Sequence, residues 1–131
     1  MKTKKNLIST IAILFITFTG AFAQKMDLET LKKMNVDERA TYQTELMKSK
    51  LYLSQEQLEK ISELNVRYSQ KMQTIINSSD NKFSKAKAMK NIQDEKEIKL
   101  KEILTAEQYR EYEKEKKEMI EKAKDQYREN N

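Results

Sequence analysis

Apolar residues recur every three to four positions along most of residues 36–128, and charged residues lie between them. When residues are placed at steps of about 100°, the second stretch gathers its apolar side chains on one face about 120° wide, as amphipathic helices do. The third and fourth stretches each have a main apolar face, and the first, shorter stretch has apolar residues on two sides. The polar run NSSDN at residues 77–81 is the one clear turn signal in the middle of the chain. We therefore predict four helices, over about 36–50, 54–77, 81–103 and from 105 onward.

Two nearly identical pentamers precede the second and the fourth predicted helix. Residues 53–57 read LSQEQ and residues 104–108 read LTAEQ. A hydroxyl residue three positions before a glutamine is a capping box, in which each side chain bonds to the other residue's backbone N–H, and the preceding leucine packs as a hydrophobic staple. Asn35 and Glu38 form a weaker copy before the first helix. We interpret the pentamers as structural capping motifs, and their defining residues are Leu53, Ser54, Gln57, Leu104, Thr105 and Gln108.

Four residues depart from the pattern of an enclosed bundle, in which apolar residues lie on the inner face of each helix and charged residues on the outer face. Lys96 and Lys116 fall inside the apolar arcs of the third and fourth helices, where lysine is tolerated when its ammonium reaches water. Phe83 and Ile98 fall outside the apolar arc of the third helix. The lysines predict a thin, open arrangement of long amphipathic helices. The apolar residues outside the arc indicate either a second working face or ordinary exposed residues.

The first 23 residues have the pattern of a secretory signal peptide, with a lysine-rich start, an apolar run of 12 residues over 7–18, and the ending AFA. The run is shorter than the roughly 20 residues of a membrane-spanning helix, so we predict cleavage after Ala23. The domain organisation is then a signal peptide at 1–23, a flexible segment at 24–34, a helical domain at 35–128 and a tail at 129–131.

The amino-acid composition limits the classes of function that the chain is expected to have. Cleavage would remove three lysines and no acids, so the net charge would fall from +5 to +2, with 23 basic and 21 acidic residues. Such a balance does not favour a nucleic-acid partner. The chain has no His or Cys, and its single Gly lies in the predicted signal. We expect no enzymatic activity, no cofactor and no metal site, because an imidazole base, a thiol nucleophile and the usual ligands of borderline metals are missing.

Two L-[ST]-x-x-Q pentamers at the starts of two helices, behind a signal peptide in an all-helical chain of this size, resemble the Spy/CpxP family of periplasmic proteins. The resemblance covers most of residues 34–120. It implies a cradle-like antiparallel homodimer of long helices that holds unfolded clients without ATP. Other members of that family are envelope-stress regulators that restrain a sensor kinase.

The expected function is therefore a periplasmic holding chaperone, and the alternative is a regulatory module that binds one dedicated partner such as a sensor kinase. A client surface should combine positive charge with apolar area. Phe83 and Ile98 lie about 60° apart on the helical wheel, and the lysines near them favour such a client surface. The alternative is that both residues lie in the dimer interface. Methionine suits varied clients because its thioether repacks easily. The candidate client-binding residues are Lys82, Phe83, Lys85, Lys87, Lys90, Ile98, Met34 and Met47.

Overall fold

The computed structural model describes residues 33–129, apart from the side chains of Ala123, Gln126 and Tyr127. The predicted signal peptide and most of the predicted flexible segment lie outside the described residues. Within 33–129 there are four helices and no strand: α1 (Val36–Leu51), α2 (Gln55–Asn77), α3 (Lys82–Ile103) and α4 (Ala106–Glu129). The prediction of an all-α fold with four helices is confirmed.

The helices pack as successive hairpins. Residues early in α1 contact residues late in α2, as the hydrogen bond from the Arg39 guanidinium to Gln73 Oε1 illustrates. The same order holds for α2 and α3, where Gln57 at the start of α2 donates a hydrogen bond of 3.1 Å to Ile103 O at the end of α3. The fourth helix packs on both α1 and α3. All four helices therefore meet around one core, which lies closer to the α1–α2 and α3–α4 turns than to the α2–α3 turn.

The core is apolar and includes residues from all four helices. Its centre contains Leu46, Ile61, Tyr68, Leu100 and Tyr112, each at most 3 % exposed. Burial of a large apolar side chain stabilises a fold by about 1.5–3 kcal/mol, so this cluster supplies much of the driving force for folding. A smaller cluster of Met72 and Met89 continues the core toward the α2–α3 turn. The apolar arcs predicted for α2 and α3, and the first half of the arc predicted for α4, are thus faces that the fold buries.

The second half of α4 is open to solvent. Met119 and Ile120 are half-buried, and every described side chain after them is exposed. Before that point the Lys116 ammonium pairs with the Glu97 carboxylate, and both side chains stay about four-fifths covered, at 22 % and 21 % exposure. Lys116 thus lies at the edge of the bundle with a partner, as an open arrangement predicts. No helix within residues 33–129 is both long and apolar enough to cross a membrane.

Lys96 corrects the expectation that a lysine in an apolar arc reaches water. Its side chain is enclosed, with 8 % of the residue exposed, and the ammonium donates a hydrogen bond of 2.9 Å to Gln43 Oε1 on α1. Burial lowers the pKa of Lys96 to about 8, although the nearby Glu97 carboxylate acts in the opposite direction. Around Lys96 the interior is therefore more enclosed than the sequence predicted. Gln43 on α1 supplies a polar acceptor that the pattern of α3 alone does not reveal.

Candidate functional site

All three predicted capping boxes form. At α1 the Asn35 and Glu38 side chains each bond to the other residue's backbone N–H, at 2.9 and 2.8 Å. Ser54 and Gln57 do the same at α2, at 3.2 and 3.0 Å. Thr105 and Gln108 repeat that geometry at α4, again at 3.2 and 3.0 Å. Each box satisfies backbone N–H groups that the first turn of a helix leaves without partners.

The two glutamines also bind each other. Gln57 Nε2 donates to Gln108 Oε1 at 2.7 Å, and Gln108 Nε2 donates to Gln57 Oε1 at 3.1 Å. Each Nε2 then donates a second bond to a backbone carbonyl before the other motif, Gln57 to Ile103 O and Gln108 to Leu51 O, both at 3.1 Å. We call this reciprocal arrangement the glutamine clasp. It ties the N-termini of α2 and α4 together.

The clasp explains why both pentamers end in glutamine. A capping box accepts glutamate or glutamine at its third position, and Glu38 occupies that position before α1. In the clasp each amide has to accept two hydrogen bonds and donate two, and only a primary amide does both. Two carboxylates facing each other would donate none and would repel. Glutamine at 57 and 108 is therefore required by the tertiary contact, not by the cap.

The leucines of the two pentamers complete the structural role. Leu104 is 7 % exposed and belongs to the main core cluster, and Leu53 is half-buried and packs against that cluster. Both leucines thus hold the start of a helix against the core. The interpretation of the pentamers as structural capping motifs is supported by this packing, and the clasp adds a second structural task that sequence reasoning missed.

The predicted client surface lies mostly on the outer side of α3. Phe83 is 78 % exposed and Ile98 is 59 % exposed. Lys82, Lys87 and Lys90 are exposed as well. The opposite side of α3 carries the residues that the core encloses, namely Met89, Lys96 and Leu100. The two apolar residues therefore share one solvent-facing side with Lys87 and Lys90. Lys82, in the first turn of α3, lies in line with Leu100 on the helical wheel instead.

Lys85 and Met47, also predicted to bind clients, do not lie on this solvent-facing side of α3. The Lys85 ammonium donates a hydrogen bond of 2.8 Å to Ile76 O at the end of α2. A cation is favourable there because the helix dipole places negative charge at its C-terminus. Met47 is 2 % exposed in the main core cluster, so its assignment to a client surface was wrong: its position on α1 faces α2. Met34 is half-buried just before the cap of α1.

An exposed aromatic residue that the sequence analysis did not single out lies beside the first pentamer. Tyr52 is 90 % exposed and is the described residue with a left-handed backbone, at φ 51° and ψ 52°. This conformation costs a non-glycine residue about 1–2 kcal/mol, and the exposed ring returns little packing energy. The three-residue connection between α1 and α2 contains no glycine. This absence was the signal in the sequence that a non-glycine residue would have to adopt a strained backbone at the turn.

Replacing Tyr52 by glycine is expected to raise the free energy of unfolding by up to about 1 kcal/mol, because glycine adopts a positive φ without the steric cost. Urea unfolding followed by circular dichroism measures this change. Tyr52→Ala, which removes the ring and keeps the Cβ, is the matched control and should leave stability almost unchanged. A loss of stability in Tyr52→Gly would show that the ring has a stabilising role.

The fold and the clasp define an all-α protein built around two linked capping motifs. The family model described as "Domain of unknown function (DUF4890)" matches residues 23–112, which is more than half of the chain. The chain belongs to this family. No curated protein and no solved structure matches the sequence significantly. Within residues 33–129, no three His, Cys, Asp or Glu side chains lie close enough together to hold a metal ion.

Proposed function

We propose that this protein is an exported, ATP-independent holding chaperone of the Spy/CpxP type, which acts in the periplasm by binding unfolded clients. The observation that carries the proposal is the outer side of α3, where Phe83 and Ile98 are exposed on the same side as Lys87 and Lys90. The resemblance in the two pentamers supports the same family. The proposed mature form begins after Ala23.

Such a surface would act in two stages. Lysine ammonium groups attract acidic segments of an unfolded chain over about 8–10 Å at physiological ionic strength. The apolar side chains then hold the client by removing apolar area from water, each contributing up to about 1.5–3 kcal/mol when fully covered. Binding of this kind requires neither a nucleotide nor a catalytic group.

The alternative proposal is a regulatory module with one dedicated partner, such as a sensor kinase. Tyr52 is the observation that favours it. A strained backbone that persists without packing of its own side chain is commonly associated with function, and tyrosine is frequent among the residues that dominate protein–protein affinity. A single exposed tyrosine beside a rigid turn suits one specific partner better than many different clients.

The decisive test compares three variants of the mature protein in an aggregation assay with several unrelated unfolding clients, without ATP. Phe83→Ser combined with Ile98→Ser should require at least about tenfold more protein for half-maximal suppression, because each tenfold corresponds to about 1.4 kcal/mol. Ile76→Ser, which removes an apolar side chain 40 % exposed at the end of α2, is the matched control and should suppress aggregation normally.

Tyr52→Ser separates the two proposals. If the protein is a general chaperone, Tyr52→Ser keeps its full activity. If the wild type suppresses no client and one partner from the cell envelope binds the wild type but not Tyr52→Ser, the regulatory proposal is correct and the chaperone proposal fails. Unchanged suppression by the Phe83→Ser/Ile98→Ser variant would remove α3 from the client surface.

A further inference from the structure

Positive charge is concentrated in the first half of α3. Residues 81–93 contain four lysines and no acidic residue, whereas residues 94–102 contain four acidic residues and three lysines. The first segment therefore carries +4 and the second −1, although the charge predicted for the mature chain is only +2. The nearest acidic residues on either side of the first segment are Asp80 and Asp94. The balanced charge of the whole chain conceals this separation within one helix.

The lysines share this part of α3 with an exposed aromatic ring. Phe83, Lys87 and Lys90 lie within about 60° of one another on the helical wheel and span about 10 Å along the axis. All three are exposed, and Phe83 has 78 % of its surface in solvent. The buried residues of α3 lie on the other side of the helix, so these three residues face away from the bundle. Together with Lys82 in the first turn, we call them the basic tip.

Helix stability does not explain this concentration of lysine. The helix dipole favours acidic residues in the first turn, and the first turns of α1, α2 and α4 each contain at least one. The first turn of α3 contains none and begins with Lys82. Lys90 pairs with Asp94, but both side chains are more than half exposed, and such pairs contribute little to stability. The charge of the tip is therefore available to a partner outside the chain.

An anionic membrane surface matches this combination of charge and apolar area. Clusters of four or more basic residues on an amphipathic helix are attracted to anionic lipids, and each basic residue near the surface strengthens binding about fivefold. A phenylalanine on such a helix enters the boundary between headgroups and acyl chains. Because the tip faces away from the bundle, a flat surface can reach it. Single-stranded nucleic acids are bound by basic grooves with aromatic platforms, whereas the tip is an outward-facing side with one ring.

We propose that the basic tip docks on a bilayer that contains anionic phospholipids, with its lysines on the headgroup phosphates and the Phe83 ring beneath them. The helix lies on the surface and does not cross the bilayer. Binding of this kind is reversible and becomes weaker as salt is added, because counterions screen the lysines from the phosphates. The inference goes beyond the proposed function, since binding to a vesicle requires no client.

Vesicle binding tests this docking with the chain from residue 24 onward, because the apolar run at 7–18 would bind lipid by itself. Co-sedimentation with phosphatidylcholine vesicles containing about 30 % phosphatidylglycerol should show binding at least about tenfold tighter than with phosphatidylcholine alone. Lys87→Gln combined with Lys90→Gln should weaken that binding about tenfold or more. Lys99→Gln combined with Lys101→Gln removes the same charge from the second half of α3. This matched control should bind within about threefold of the wild type, since both positions lie more than a Debye length from the tip.

A tryptophan placed in the tip reports whether the ring enters the lipid. The chain contains no tryptophan, so Phe83→Trp supplies a single fluorophore of this kind. Its emission should shift to shorter wavelength on anionic vesicles, and lipids with brominated acyl chains should quench it. Ile98→Trp, about 22 Å further along α3, is the control and should change in neither respect. A reduced and carboxymethylated client should shift the emission of both variants, because both residues belong to the proposed client surface.

The outcomes separate this inference from the proposed function. Absence of vesicle binding, equal binding to neutral and anionic vesicles, or unchanged emission of Phe83→Trp on vesicles overturns the docking, whatever the aggregation assay gives. Polyglutamate or single-stranded DNA that binds as tightly as the vesicles, and equally well to Phe83→Ser, would mean that the tip recognises negative charge alone, and the lipid surface would be wrong. Vesicle binding as expected without suppression of any client rejects the chaperone proposal and leaves the membrane-docking surface established.

Discussion

Replacing Gln108 by glutamate is expected to lower the free energy of unfolding by about 2 kcal/mol, although glutamate suits the third position of a capping box. The carboxylate still accepts from Thr105 N–H, but it donates to neither Leu51 O nor Gln57 Oε1, which are 3.1 Å from the amide nitrogen. Each such lost bond costs about 1 kcal/mol, or more where a covered acceptor is left without a donor. Urea unfolding measures the change.

The chain offers a matched control for this substitution. Glu38→Gln makes the opposite exchange in the α1 box, where the Glu38 side chain is exposed and makes no clasp, so its effect should stay within about 0.5 kcal/mol. Adding Gln57→Glu to Gln108→Glu should destabilise further, because two carboxylates then face each other. The loss of stability in both variants should become smaller as the pH falls toward 4, because a protonated carboxyl group can donate a hydrogen bond again. Equal effects at positions 38 and 108 would mean that the clasp contributes nothing.

Replacing the buried pair by Lys96→Met and Gln43→Leu together is expected to raise the free energy of unfolding by about 1–4 kcal/mol at pH 7. The Lys96 ammonium is enclosed with Gln43 Oε1 as its hydrogen-bond acceptor. Well-packed apolar residues commonly replace buried charged groups with a gain of this size. Changing both partners avoids leaving the Gln43 amide without its donor. Lys87→Met, on the exposed side of the same helix, is the control and should change stability by less than about 0.5 kcal/mol.

The pH dependence of stability gives an independent test of the burial of Lys96. Because burial lowers the pKa of Lys96 from 10.5 to about 8, the folded state loses this proton before the unfolded state does. Stability should therefore rise with pH from about 8 toward 10.5, and the rise should be absent in the double variant. Above pH 10 buried tyrosines act oppositely, since burial raises the pKa of Tyr109 to about 12. Thermal unfolding between pH 7 and 9.5 measures the lysine effect, and equal slopes in both proteins would contradict it.

The helices of this protein are largely predictable because their signals are local. Each cap lies within three residues of its partner, as in Ser54 with Gln57, and the polar turn at residues 77–81 ends α2 where the pattern predicted. Apolar periodicity likewise identified the buried faces of α2 and of the first half of α4. The exposure of Phe83 and Ile98 also followed from their places on the wheel of α3. These features depend on the neighbours along one helix, which the sequence contains directly.

Contacts between distant parts of the chain, in contrast, depend on how the four helices pack. Gln57 and Gln108 are 51 residues apart, and nothing in either pentamer indicates that its glutamine has a second partner. Lys96 and Gln43 are 53 residues apart, so the pattern of α3 alone suggested a lysine that reaches water. The left-handed backbone of Tyr52 lies at the C-cap of α1, where the chain turns toward α2. The sequence determined where the helices begin, end and turn their apolar faces, whereas the packing of four helices around one core determined which polar groups meet inside it.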